Sequence, residues 1–149
     1  MAEIIPHLWV GSFEESYDAN LLEKGNITHI LNVASELNVS ERVGRDYRKI
    51  AIDDDSPDQN IGHIIPLCLS YMVEAIEQEK GNVFVHCLEG RSRSVSVVLA
   101  YVTLYHTKCF VEAIRLVKEK WPRMDIHKPY FFQTMKFCDQ VLYPSTSSY

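Results

Sequence analysis

Apolar and polar positions change period several times along the 149 residues, and each change marks an element. Near the start, "HLWVG" reads as a short strand, and "SYDANLLEKG" as a helix closed by Gly25. "ITHILNV" is a β-rich apolar run and "YRKIAI" alternates, so two more strands are predicted. Beyond the polar loop "DDDSPDQN", helical periodicity extends to about Lys80, with Gly81 as its stop. Pro66 allows two versions of that helix: a kink at the proline, or a true first turn beginning there with residues 61 to 65 forming a separate turn.

"NVFVHC" has the short continuous apolar character of a buried central strand. The next segment, "SVSVVLAYVTLYHT", is rich in β-branched residues, and propensity alone favours a strand. Its length argues otherwise, because a stretch apolar nearly all round and longer than a usual strand is what a domain buries as a central helix. "FVEAIRLVKEKW" is an amphipathic helix, and "PYFFQTMKFCDQVL" a last helix opened by Pro129. Strands alternating with helices predict an α/β single domain with a central, mostly parallel sheet of about five strands flanked by helices. Its expected extent is 1–143, with the small polar residues of 144–149 a flexible tail.

Composition narrows the function. Hydrophobic residues make up 46% and charged residues 23%, as in a globular domain, and no apolar stretch reaches the length of a membrane span. Integral membrane association is therefore not expected. A net charge of −5 argues against a general affinity for nucleic acid, so any anion must be bound locally. Cys68, Cys87, Cys109 and Cys138 form no Cys-x-x-Cys pair and have no paired histidines nearby, which points to thiols rather than a zinc site. With no secretory pattern at the start, a cytoplasmic or nuclear location is expected.

Chemistry concentrates in "VFVHCLEGRSRSVSVV", residues 83 to 98. Fully extended, the stretch from Cys87 to Arg93 would span roughly 20 Å, so both side chains meet one small ligand only if the loop curls. Gly90 permits the curl. Strand, tight loop and helix N-terminus together gather free backbone N–H groups and the positive end of a helix dipole around one point, a site for a phosphate-like dianion. Arg93 can add a forked grip that lysine cannot supply. The same field favours a thiolate at Cys87, a nucleophile facing bound phosphate.

"HCLEGRSRS" resembles the His-Cys-x-x-Gly-x-x-Arg-Ser/Thr signature of cysteine-dependent protein phosphatases. With "IIPHLWVGS", "ITHILNVASE", "DSPDQNI" and "KPYFFQTM", the chain is similar over nearly all its length to the small, atypical dual-specificity phosphatases of the protein tyrosine phosphatase superfamily. The resemblance implies a protein-tyrosine-phosphatase-like fold and a phosphocysteine formed on Cys87. Arg93 would bind phosphate and steady the transition state, and Ser94 would help the thiolate leave. His86 would orient the loop, and residues Leu88, Glu89, Gly90, Arg91, Ser92 and Arg93 would supply the amides of the phosphate cradle. Counting six residues back from Ile61, as the family spacing suggests, gives Asp55 as the acid that protonates the leaving oxygen, with Asp54 as competitor. Glu89 stands where many relatives carry a small residue, and the loop lacks the lysines that phosphoinositide phosphatases place there.

The expected function is a protein phosphatase acting on phosphotyrosine and phosphoserine or phosphothreonine, with phosphorylated proteins as partners. No metal or organic cofactor is expected, since loop amides and Arg93 take the role of a metal. Two alternatives stand beside it: a phosphatase of lipid, carbohydrate or RNA 5′-end phosphate, and a phosphopeptide-binding pseudophosphatase.

Overall fold

A computed structural model describes residues 1–38 and 44–144. Residues 145–149 of the expected tail lie outside it. Five strands form one sheet in the order β1-β2-β5-β3-β4: β1 (Ala2–Ile5), β2 (Leu8–Gly11), β3 (His29–Ala34), β4 (Asp46–Ile52) and β5 (Val83–His86). Strands β2, β5, β3 and β4 run parallel, and β1 pairs antiparallel with β2 through Ala2↔Val10 and Glu3↔Trp9. The mostly parallel sheet is as predicted. Strand β1 was not anticipated, because its sequence Ala-Glu-Ile-Ile neither alternates nor forms a continuous apolar run. It is joined to β2 by a tight turn in which His7 takes φ 78°.

The central strands alternate between two apolar layers. On β5, Val83 and Val85 enter the large core while Phe84 enters a smaller one with Leu22, Ile27 and Ile30. On β3, Leu31 and Val33 join the large core and Ile30 the small one. Both strands read as unbroken apolar runs because both faces are covered. Full burial of a side chain such as Phe84 contributes roughly 1.5–3 kcal/mol.

Helix α1 (Ala19–Lys24) is capped by Asp18, whose carboxylate accepts from Asn20 N at 3.1 Å and Leu21 N at 3.2 Å. That cap divides the predicted helix, and a separate 3₁₀ turn covers Glu14–Tyr17. Pro66 resolves in favour of the second version. Ile61–His63 is a separate 3₁₀ turn capped by Asn60, and helix α2 (Ile65–Val73) starts with the proline in its first turn. A wider π turn carries α2 on to Gln78. Gly81 does not make the left-handed turn that ends this segment, since Lys80 does so at φ 57°. Glycine is needed at 81 for space: a Cβ there would sit 2.3 Å from Thr28 Oγ1.

The β-branched segment is helical. Helix α3 (Arg93–Val102), extended by a π turn to Thr107, has every residue of its α-helical part buried. It rests on β2, β5 and β3 and is packed by α2, by α4 (Phe110–Lys120) and by α5 (Lys128–Leu142). Burial on all sides overrides the strand propensity of its valines. Among the described residues, no single helix is long and apolar enough to cross a membrane.

Candidate active site

The parallel strands end on one edge of the sheet, where β5 runs into the 87–92 loop and the loop into the N-terminus of α3. Five of the six carbonyls of this loop are tied to groups outside the cradle. His86 Nδ1 donates to Cys87 O (3.0 Å) and Phe13 N to Leu88 O (3.0 Å). Trp121 Nε1 donates to Gly90 O (2.6 Å), Asp125 N to Arg91 O (2.9 Å), and both Ser96 N and Ser96 Oγ to Ser92 O (2.8 Å each). In a trans peptide the N–H opposes the preceding C=O, so fixing these five carbonyls outward turns the N–H groups of Leu88, Glu89, Arg91, Ser92 and Arg93 the other way. They converge on the ligand side, beside the positive end of α3.

Gly90 is required twice over. Its φ is +73°, and a Cβ would lie 2.7 Å from Gly11 O on the neighbouring β2. Cys87, 3% exposed, sits at the base of the loop with its Sγ 3.2 Å from Ser94 Oγ. A cavity of about 140 Å³ opens above it, lined by Asp54, Cys87, Leu88, Glu89, Arg91, Ser92 and Arg93. Leu88, Glu89 and Arg91 are exposed at its rim, where Arg91 Nε lies 3.6 Å from a Glu89 carboxylate oxygen. Burial pushes the Cys68 and Cys138 thiols up to about 12, which keeps those two protonated and inert.

Arg93 is 3% exposed and carries an ordered set of partners. Its Nη1 and Nη2 grip the two oxygens of Glu36 at 2.6 and 2.7 Å, and Nη1 also donates to Ile52 O at 3.0 Å. Of five N–H donors, those three bonds leave Nε–H and one Nη2–H, the side-on edge suited to two phosphate oxygens. Burial works against the charge on Arg93, but Glu36, Cys87 and Asp54 more than offset it and the guanidinium is held charged. In return, the hydrogen-bonded guanidinium draws the Glu36 carboxyl well below the usual range, to about 2.

Glu36 was missed in the sequence, where it is one acid among many. Its signal is its position just past the carboxyl end of β3, the strand beside β5, since ligands of parallel sheets bind at carboxyl ends. Asn32, fully buried on β3, supports the turn that bears it: Asn32 Nδ2 donates to Leu37 O (3.0 Å) and Asn32 Oδ1 accepts from Ala34 N (2.9 Å).

The acidic loop after β4 comes to the same edge. Asp54 lines the cavity, with Oδ1 3.9 Å from Arg93 Nε. Asp55 takes a left-handed conformation (φ 49°) and places Oδ1 3.3 Å from His127 Nδ1. Tyr130, fully buried on α5, ties the loop together, because its hydroxyl donates to Asp53 O and accepts from Ser56 N (3.2 Å). Gln59 Oε1 accepts from Asp53 N (2.6 Å), and Gln133 Oε1 from Ile61 N (2.8 Å). A larger recess of about 590 Å³ lies between Pro57–His63 and α5, and no cysteine lines it.

A cysteine and an arginine at the two ends of an amide cradle, on a parallel sheet of this order, define a cysteine-dependent phosphatase class of site. Residues 8–140 match the family described as dual specificity phosphatase, catalytic domain, and the chain belongs to that family. It is 35% identical over 115 residues to dual specificity protein phosphatase 1 of Arabidopsis thaliana, covering 77% of this chain and 57% of the relative. Against dual specificity protein phosphatase 6 of Homo sapiens the identity is 38% over 120 residues, with 79% and 31% covered. The chain thus spans only part of these relatives. Among solved structures, human DUSP28 superposes with a TM-score of 0.87 at 21% identity, covering 97% of this chain and 100% of that one, a likeness of fold.

Proposed function

We propose that this chain is a dual-specificity protein phosphatase that hydrolyses phosphotyrosine and phosphoserine or phosphothreonine through a phosphocysteine. The observation that carries the reading is the cradle: five loop carbonyls tied outward around Cys87, with the side-on edge of Arg93 left for phosphate.

In the first step the Cys87 thiolate attacks phosphorus, the bond to the ester oxygen breaks, and an acid protonates that oxygen. In the second, water attacks the phosphocysteine, its proton passes to the same carboxylate, and the thiolate departs with Ser94 Oγ positioned to hydrogen-bond to it. Asp55 is the acid in this reading. Asp54, which lines the cavity with Oδ1 3.9 Å from Arg93 Nε, is its competitor for that role. The small cavity supports dual specificity, because it takes the phosphoryl group and leaves the ester side chain at an open rim. Phosphorylated proteins are the proposed substrates. The four free thiols support a cytoplasmic or nuclear setting.

The test is turnover of 4-nitrophenyl phosphate and of phosphotyrosyl and phosphothreonyl peptides by wild type and Cys87→Ser, with chelator present. Wild-type turnover is expected on all three, falling about 10⁴-fold or more in the variant. Tight phosphopeptide binding without any turnover would replace this reading with the pseudophosphatase one.

A further inference from the structure

We infer that His127 is a positioning residue for the leaving-group acid: it anchors one oxygen of Asp55 and couples the acid loop to the phosphate cradle. This rests on the phosphatase reading and on Asp55 as the acid.

His127 stands just before α5, between the two catalytic loops. Its backbone N–H donates to Ser92 Oγ in the cradle (3.0 Å), and its ring nitrogen Nδ1 faces Asp55 Oδ1 at 3.3 Å. The imidazole is packed edge-on against Tyr130, with ring centroids 4.9 Å apart, and that tyrosine's hydroxyl bridges Asp53 and Ser56 on either side of the acid. One short stretch of chain therefore touches the cradle through its backbone and the acid loop through two side chains.

The tautomer follows from the other ring nitrogen. His127 Nε2 is buried with no hydrogen-bond partner among the described residues. Placing the proton on Nδ1 leaves only a lone pair at that buried site and puts the donor on the nitrogen that lies 3.3 Å from Asp55 Oδ1. A donor on Nδ1 suits both half-reactions. With a small turn of the ring, Asp55 Oδ1 can accept from Nδ1–H whether Oδ2 carries the proton for the leaving group or has lost it and awaits the proton of water. The acid is thus held in one place while its charge changes. The left-handed backbone of Asp55 fits this role, because such a conformation persists where surrounding contacts over-determine it. Other charged or titratable groups facing this corner are Asp53, Tyr130 and Arg93, and burial raises the Tyr130 phenol so that it stays a donor.

Two substitutions separate positioning from folding. His127→Phe keeps the ring against Tyr130 and removes the donor, whereas His127→Asn keeps a donor near the position of Nδ1. Phenyl phosphate, whose leaving group needs protonation, is compared with 4-nitrophenyl phosphate, whose leaving group needs it little. Expected for His127→Phe is a loss of kcat/KM on phenyl phosphate about tenfold larger than on 4-nitrophenyl phosphate, a fraction of what a general acid contributes. His127→Asn should recover most of it. The double variant Asp55→Asn/His127→Phe should be no worse than Asp55→Asn alone.

Equal losses on both esters, or multiplying effects in the double variant, overturn the inference. So does a leaving-group effect that appears in Asp54→Asn and is absent from Asp55→Asn. If wild type turns over neither ester, the phosphatase reading fails separately. The contact is then judged by hydrogen exchange of the 53–58 amides, expected to quicken in His127→Phe and not in His127→Asn; unchanged exchange in His127→Phe overturns it.

Discussion

The two ends of the sheet carry similar side chains arranged to opposite effect. At the amino ends of β3 and β4, Tyr71 donates to Asp46 Oδ1 at 2.6 Å, His29 Nε2 pairs with Glu79, and His29 Nδ1 meets Thr28 Oγ1 at 2.7 Å. The Arg48 guanidinium stacks 5.0 Å from the centre of the Tyr71 ring. At the carboxyl ends, histidine, arginine and carboxylates are equally dense, but the internal bonds fall on carbonyls and on one edge of one guanidinium, leaving N–H groups turned to the cavity. Helix polarity matches the difference. The carboxyl end receives the N-terminus of α3, and the other end receives the last turn after α2, which offers carbonyls. A cluster of polar side chains is thus not in itself a site. An anion site forms where acceptors are satisfied outward and donors converge.

Gly90→Ala should break this contrast most severely. A Cβ meets Gly11 O, and the left-handed backbone adds about 1–3 kcal/mol of strain. Turnover should be lost almost entirely and the melting temperature lowered; an active Gly90→Ala enzyme would mean that the cradle does not need this close approach. Next comes Trp121→Phe, which leaves the Gly90 carbonyl without its indole donor. An unpaired buried carbonyl costs about 1–3 kcal/mol, and a freed carbonyl can turn into the cavity, so kcat/KM should fall roughly tenfold. A loss of stability with unchanged turnover would make Trp121 a core residue only.

Glu36→Gln tests whether Arg93 is held from behind. A smaller loss of turnover is expected, together with a change in the acid limb of stability. Glu36 sits below its ordinary value of 4.5, at about 2, so its contribution is fully present above pH 4.5 and disappears as pH falls toward 2. Acidification from pH 6 to 3 should therefore lower the denaturation midpoint of wild type more than that of the variant, and equal shifts would remove the pair from the account. Smallest in its effect on turnover is Tyr71→Phe at the amino end. Loss of the bond to Asp46 should cost about 0.5–1.5 kcal/mol with kcat/KM unchanged. A fall in turnover there would show that the two ends are coupled.

Local chemistry determined a good deal of this protein. The spacing of Cys87, Gly90 and Arg93 on a strand-loop-helix pattern implied a phosphate cradle, because curling six residues around an anion depends on neighbours in the chain. Periodicity placed the buried helix after it, and the turns at Pro66 and Gly81 were legible to within a choice of mechanism. Strand β1 was not legible, since its evidence is pairing with β2 rather than its own four residues. Nor were Glu36, Trp121, Asp125, His127 and Tyr130. Each acts on a partner at least 30 residues away in the chain, as Glu36 does on Arg93 and Trp121 on Gly90. Which carbonyls turn outward, which edge of Arg93 stays open, and which of two adjacent aspartates meets a histidine were decided only when the sheet brought four loops to one edge, because hydrogen bonds are set by distance and angle in space.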